Sequence, residues 1–167
     1  APTRGQFGIL SMVIGSLMAT LGALCVGIPL GLSCAIFLAE FSSKPVQGIL
    51  KPVIELLAGI PSVVYGFIGI VVLVPLIRNL FGGSGFSVLG AGIILGIMIL
   101  PTIVSISYDS IKSVPTAYRD GSFALGATRW QTILMVVLPS ARSGIIAGII
   151  LGMGRAIGET MAVIMIS

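Results

Sequence analysis

The chain has 167 residues, 56% of them hydrophobic and 8% charged, with a formal net charge of +4 and a mean hydropathy of +1.19. Soluble domains carry about 25% charged residues, so this composition excludes a water-soluble globular protein and points to an integral membrane protein, one domain or a piece of one. Histidine is absent, which removes the commonest metal ligand and proton switch.

Further classes fall away on inspection. Cys25 and Cys34 lie nine residues apart in one apolar segment. At about 100° per residue they point to opposite sides of a helix, so neither a disulfide nor a metal site is expected. The basic residues stand singly in short loops, which is not a nucleic-acid pattern. No G-x-x-x-x-G-K-[ST] phosphate loop occurs, and the N-terminus lacks the charged n-region and cleavage site of a signal peptide. No nucleophile and base are arranged for catalysis, and no catalytic or metal-binding residues are expected.

In chain order, the first expected span runs from Phe7 to about Ala39, uncharged between Arg4 and Glu40. It exceeds the roughly 20 residues that a span needs, so it must tilt or protrude. The second runs from about Val53 to Ile77 and is broken at Gly59-Ile60-Pro61. The third covers about Phe86 to Ile106. The fourth begins at Ser143 and reaches Ser167, where the sequence stops, so the single transmembrane domain over 1–167 is expected to be C-terminally incomplete. Lys44, Lys51, Lys112, Arg119, Arg129 and Arg142 fall on one side of this arrangement, Arg4 and Arg78 on the other. The excess of positive charge places the first group in the cytoplasm and the N-terminus and the Gly82–Gly85 turn outside.

Small residues recur at every fourth position in span one (Ser11, Gly15, Ala19, Ala23, Gly27, Gly31, Ala35, Ala39) and in span four (Ser140, Gly144, Gly148, Gly152, Ala156, Thr160). Such stripes let helix backbones approach closely in lipid, within the chain or against a second subunit. A four-residue step drifts about 40° per repeat, so each stripe winds around its helix. Pro29, Pro61, Pro75 and Pro101 each remove a backbone donor and tend to kink their helices.

Between spans three and four lies a polar island, Asp109 to Arg129, within a loop over 109–130. Pro115 suits the first turn of a helix, Gly126 its left-handed end, and Thr128-Arg-Trp-Gln131 the capping box of the next helix. Tyr118, Phe123, Leu125 and Trp130 give this element apolar area, for lipid headgroups or for a protein partner. The glycine-cornered geometry favours the partner.

Asp120-Gly121-Ser122-x-x-x-Gly126, nine residues, then Val136-x-Leu138-Pro139 resembles the EAA signature of binding-protein-dependent, type I ABC importer permeases. That signature reads Glu-Ala-Ala-x-x-x-Gly, nine residues, Ile-x-Leu-Pro. Asp120, Gly121, Ser122 and Val136 depart from it, while Gly126, Leu138, Pro139 and both spacings are kept. Ala58-Gly-Ile-Pro-Ser-Val-Val-Tyr-Gly66, Met98-Ile-Leu-Pro-Thr102 and Gly154-Arg-Ala-Ile-Gly-Glu-Thr-Met-Ala162 are most similar to the phosphate importer's PstC-type permease.

The resemblance implies an all-α, polytopic membrane helix bundle, with about four spans here plus a cytoplasmic coupling helix in a multi-pass protein of a bacterial or archaeal inner membrane. It implies a second related permease, two ATPase subunits that carry ATP and magnesium, and an extracytoplasmic phosphate-binding protein. This chain would lie in membrane lipid and bind no cofactor or nucleic acid itself. Asp120, Gly121, Ser122, Gly126, Leu138 and Pro139 would couple it to the ATPase.

Arg155 and Glu159 are the charges inside span four. Each costs about 2.5–3.5 kcal/mol at a helix centre on the insertion scale. At i and i+4 they share a helix face and can pair. Such a pair could serve structure alone, yet an apolar pair would serve that better, and an arginine fork suits a phosphate oxyanion. Arg155, Glu159 and Thr160 are therefore the expected substrate-pathway residues. Lys51 with Glu55, and Asp109 with Lys112, read as interfacial pairs. The expected function is ATP-driven phosphate import without a nucleotide site in this chain. The alternatives are import of another oxyanion or small solute, an ion-coupled secondary transporter with Glu159 as proton site, and a non-transporting scaffold.

Overall fold

The computed structural model describes residues 9–81, 88–159 and 163. Thr160 and the Gly82–Gly85 turn lie outside the described residues, as do parts of the expected first, third and fourth spans. Helices α1 (Ile9–Ile36), α2 (Lys44–Ala58), α3 (Ser62–Ile68), α4 (Val74–Phe81), α5 (Val88–Lys112), α6 (Thr116–Ala124), α7 (Arg129–Thr132) and α8 (Leu138–Gly158) make up the chain, with no strand among the described residues. Three π-helical turns, Phe37–Phe41, Gly69–Leu73 and Ile133–Val137, extend α1, join α3 to α4 and join α7 to α8. Four stretches are long and apolar enough to cross a membrane: Val13–Phe41, Ser62–Leu80, Leu89–Lys112 and Arg129–Gly158. The all-α polytopic bundle with four spans is as expected.

Helix α5 is the centre of the bundle. Leu95, Met98, Ile99, Ile103, Ser107 and Ile111 on it are fully buried, and glycine seams on two neighbours receive it. Gly92 of α5 lies against Ala19 of α1, Gly96 against Ala23, Ile99 against Gly27 and Ile103 against Gly31, so α1 and α5 run parallel. A Cβ on Gly96 would stand 3.3 Å from the Ala23 carbonyl oxygen, so the two backbones are close to touching. Ala19, Ala23, Gly27, Gly31, Ala35 and Ala39 are all buried. The stripe does wind, and the buried seam winds with it, as small-x-x-x-small packing in lipid requires.

Helix α8 meets another side of α5, antiparallel. Gly144 faces Ser110, Gly148 faces Ile106, and Gly152 faces Ile103 and Ile99. Ile99 and Ile103 thus fill glycine hollows of both α1 and α8. Ser110 donates to the Ala141 carbonyl at 3.2 Å, which adds a polar tie to this seam. Outside it, Leu17, Met18, Leu21, Leu30, Ile146, Ile150 and Leu151 stand exposed, as suits side chains bathed in lipid.

The prolines act in two ways. Pro29, Pro52 and Pro101 lie inside helices that continue past them. Pro75 and Pro139 instead each follow a π-helical turn by two residues. A proline ring collides with the carbonyl four residues earlier, here Val71 and Met135, which lie at the middle of those turns. The wider turn takes that carbonyl out of the way, with Val74 bonded to Gly69 and Leu138 to Ile133.

The second span is rearranged relative to expectation. Its break at Gly59-Ile60-Pro61 is present: Gly59 caps α2, and Pro61, with ψ 136°, opens α3. The part before the break is a separate helix that starts at Lys44, with Pro45 in its first turn, and the spanning stretch begins only at Ser62. Helix α2 lies antiparallel along α5. Tyr108 donates to Gln47 at 3.0 Å and Lys51 binds Asp109 at 2.6 Å. The expected pair of Lys51 with Glu55 is present at 3.9 Å; that of Asp109 with Lys112 is corrected, since Asp109 is taken by Lys51. The hydrogen bond from Lys51 to Asp109 holds the ammonium pKa above its ordinary value.

Candidate functional site

Two sites emerge, one inside the membrane and one at the polar end of the bundle. The inner one is built on the broken helix. Ending α2 at Ala58 leaves its last carbonyls short of i+4 partners, though the Ile60 N–H reaches the Leu57 carbonyl at 3.2 Å. Tyr65 donates to the Leu57 carbonyl at 2.8 Å. Arg155, reaching over from α8, donates from Nη2 to the Ala58 carbonyl at 3.0 Å and from Nη1 to Thr102 Oγ1 at 3.2 Å. The negative end of the α2 dipole favours a cation at that place. The guanidinium is half-buried, and these two bonds use two of its five N–H donors. No Cβ-sized obstacle lies beside Gly154 or Gly158, which flank it on α8.

The expected pair of Arg155 and Glu159 lies at the very end of α8. Helix α8 ends at Gly158, and Glu159 has extended backbone, φ −84° and ψ 113°. Arg155 ties α8 to α2 and α5. Thr102 and the Ala58 carbonyl are site groups that sequence reasoning missed. The signal was present in part, because a helix broken inside a span exposes carbonyls that require a donor.

At the polar end, the loop over 109–130 folds much as its sequence dictates. Pro115 stands one place earlier than expected, as N-cap of α6 rather than in its first turn. Gly126 has φ +83° and closes α6, with its own N–H bonded to Phe123 at 2.9 Å and that of Ala127 to Ser122 at 3.2 Å, the two bonds of a Schellman ending. Thr128 and Gln131 form the expected capping box of α7. Ser122 shares a 3.0 Å hydrogen bond with Thr132, which fastens α6 to α7. Asp120 and Gly121 face open space, Pro139 stands exposed, and half-buried Leu138 packs on the core. Leu125, at 90% exposure, projects furthest, beside exposed Tyr118, Phe123 and Trp130.

One residue that sequence reasoning left aside ties this loop to α1. Glu40, in the π-helical turn Phe37–Phe41, accepts Arg119 Nη1 on its carboxylate. Arg119 Nη2 donates to the Ile111 carbonyl at 3.0 Å, and Arg129 Nη2 to the Glu40 carbonyl at 2.9 Å. Beside them opens a cleft of about 420 Å³, lined among others by Glu40, Lys112, Arg119, Phe123 and Arg129.

An apolar all-α bundle with four candidate spans, a half-buried guanidinium and an apolar-tipped polar loop defines a polytopic membrane protein. Residues 27–167 match the family described as binding-protein-dependent transport system inner membrane component, and the chain belongs to that family. It is 49% identical over 162 residues to the Bacillus subtilis protein named probable ABC transporter permease YqgH, covering 96% of this chain and 52% of that one. It is 37% identical to the phosphate transport system permease protein PstC of Mesorhizobium japonicum, covering 97% and 56% of the two chains. With the PstC of Xylella fastidiosa strain 9a5c the identity is 38%, at the same coverages. The chain spans about half the length of the curated relatives it matches.

Proposed function

We propose that this chain belongs to a permease subunit of an ATP-driven importer of inorganic phosphate and forms half of a translocation pathway with a second, related permease. An extracytoplasmic binding protein would hand over the anion, and two ATPase subunits, carrying ATP and magnesium, would power the cycle. The chain itself would bind no cofactor. The observation that carries this reading is Arg155, a guanidinium held at membrane depth against a broken helix, supported by similarity to proteins named as phosphate permeases. The excess of positive charge supports a cytoplasmic position for α6 and α7 with the N-terminus outside; in this reading α6, with Asp120, Gly121, Ser122 and Gly126, faces the ATPase as a coupling helix.

In this reading the guanidinium alternates between two acceptors. Without anion it rests on the Ala58 carbonyl and Thr102; with anion its fork turns to the phosphate oxygens. The resting bonds weaken net binding, which favours release as well as entry. Glu159 and Thr160 complete the proposed pathway.

The substrate is tested by competition. Full-length permease with its partner subunits in proteoliposomes should take up labelled phosphate, and a hundredfold excess of sulfate should leave that uptake near its starting rate. Equal inhibition by sulfate and unlabelled phosphate would replace phosphate by oxyanions generally. A hydroxyl holding Arg155 gives a second expectation. Thr102→Val should slow uptake roughly ten- to hundredfold, from loss of a hydrogen bond to a charged group of about 1.5–3 kcal/mol, while Thr102→Ser keeps it near wild type. Equal rates in both variants would show that the hydroxyl has no part.

A further inference from the structure

Helix α6 is covalently joined to α5 on one side and to α7 on the other, and has no short chain connection to α1. Yet the end of α1 is the place where the loop is most firmly held. The Glu40 side chain is 9% exposed and that of Arg119 19%, against 34% and 56% for Lys51 and Asp109. Arg119 holds the Glu40 carboxylate with one arm and the end of α5 with the other. Arg129, from the first position of α7, takes the Glu40 backbone carbonyl, and its guanidinium lies 5.6 Å from the Phe41 ring centre. Trp130 meets the same ring edge-on at 5.6 Å. A single glutamate, with the phenylalanine after it, thus gathers α6, α7 and the end of α5 onto α1.

The chemistry suits transmission of force. A charge-assisted, partly desolvated pair is stronger and more directional than a surface ion pair, and removal of either partner strands the other charge. The receiving residue sits in a π-helical turn, a kind of helix irregularity that often marks functional positions. Beyond that turn, α1 carries the glycine seam packed on α5.

We propose that Glu40 is a positioning residue that makes α6 and the end of α1 move as one body, so that the ATPase acts on the first span as well as on α5 and α8. The proposal rests on the reading of α6 as a coupling helix. Its test uses the full-length permease assembled with its partner permease, ATPase and binding protein in proteoliposomes, with solute uptake and ATP hydrolysis measured together. Glu40→Gln and Arg119→Gln should each lower uptake per ATP about fivefold or more, with stimulated hydrolysis retained. The double variant should be no worse than Arg119→Gln alone, because both substitutions remove the Glu40–Arg119 contact and only Arg119→Gln also removes the bond to Ile111.

A wild-type ratio in either single variant, or losses that multiply in the double, overturns the proposal. An independent measurement does not need these variants. Spin labels at Ser33→Cys and Ala117→Cys, with Cys25 and Cys34 replaced by alanine, should keep one separation with and without ATP. A separation that changes on ATP binding means that α6 leaves α1, and overturns the proposal as well. If the wild-type complex shows no hydrolysis stimulated by binding protein, the importer reading fails and takes the proposal with it. Transport by wild type with an unchanged Glu40→Gln ratio sinks the Glu40 proposal alone.

Discussion

Replacing Arg155 by glutamine is expected to cut phosphate uptake about thirtyfold or more, with the complex still assembled. Truncating one member of a buried, hydrogen-bonded polar contact costs about 2–5 kcal/mol, and about 1.4 kcal/mol is tenfold in rate. Glutamine keeps a polar side chain but is too short to take over the Nη2 bond to the Ala58 carbonyl, so equal amounts of assembled complex are the control. Arg155→Lys keeps the charge but not the fork that bridges Ala58 and Thr102; it should lie between wild type and glutamine. Uptake at the wild-type rate in both variants, from equal amounts of complex, would remove Arg155 from the pathway.

The second large effect is on folding. Gly96→Val and Gly144→Val should each destabilise the bundle by about 2–3 kcal/mol, the cost of overpacking a tight contact. At Gly96 the new Cβ meets the Ala23 carbonyl oxygen at 3.3 Å, backbone that cannot step aside without parting α1 from α5. At Gly144 it would come within 2.7 Å of the Ser110 Cβ and break the tie from Ser110 to Ala141. Gly15→Val is the control, since that glycine belongs to the same stripe yet a Cβ added there would meet nothing within 4 Å. Thermal unfolding of the detergent-purified protein should separate the first two from the control. Equal melting temperatures for all three would mean that the glycine seams do not set the packing.

What was legible in the sequence is local. Hydropathy marked the four spans, four-residue spacing marked the seams, and turn chemistry located Gly59-Ile60-Pro61, Gly126 and the Thr128–Gln131 box. Each of these depends on neighbours within a turn or two. The π-helical turns before Pro75 and Pro139 were not legible, because helical periodicity gives no sign of one residue inserted to free a carbonyl. Nor were the partners of Arg155, which lie 53 and 97 residues away, or the grip of Arg119 on Glu40 across 79 residues. The end of α8 at Gly158, one residue before Glu159, was not legible either. Long-range polar contacts are chosen by the packed bundle, and the sequence carries only the residue types that can make them.

The central claim is that ATP turnover on the partner ATPase, transmitted through α6, drives an anion past Arg155. The most direct measurement is labelled phosphate uptake by proteoliposomes holding the full permease complex, with binding protein outside and ATP inside, with and without a proton gradient. Uptake that requires ATP and the binding protein and ignores the gradient is the result expected. Uptake that follows the proton gradient in the absence of ATP would contradict it and make the protein an ion-coupled transporter.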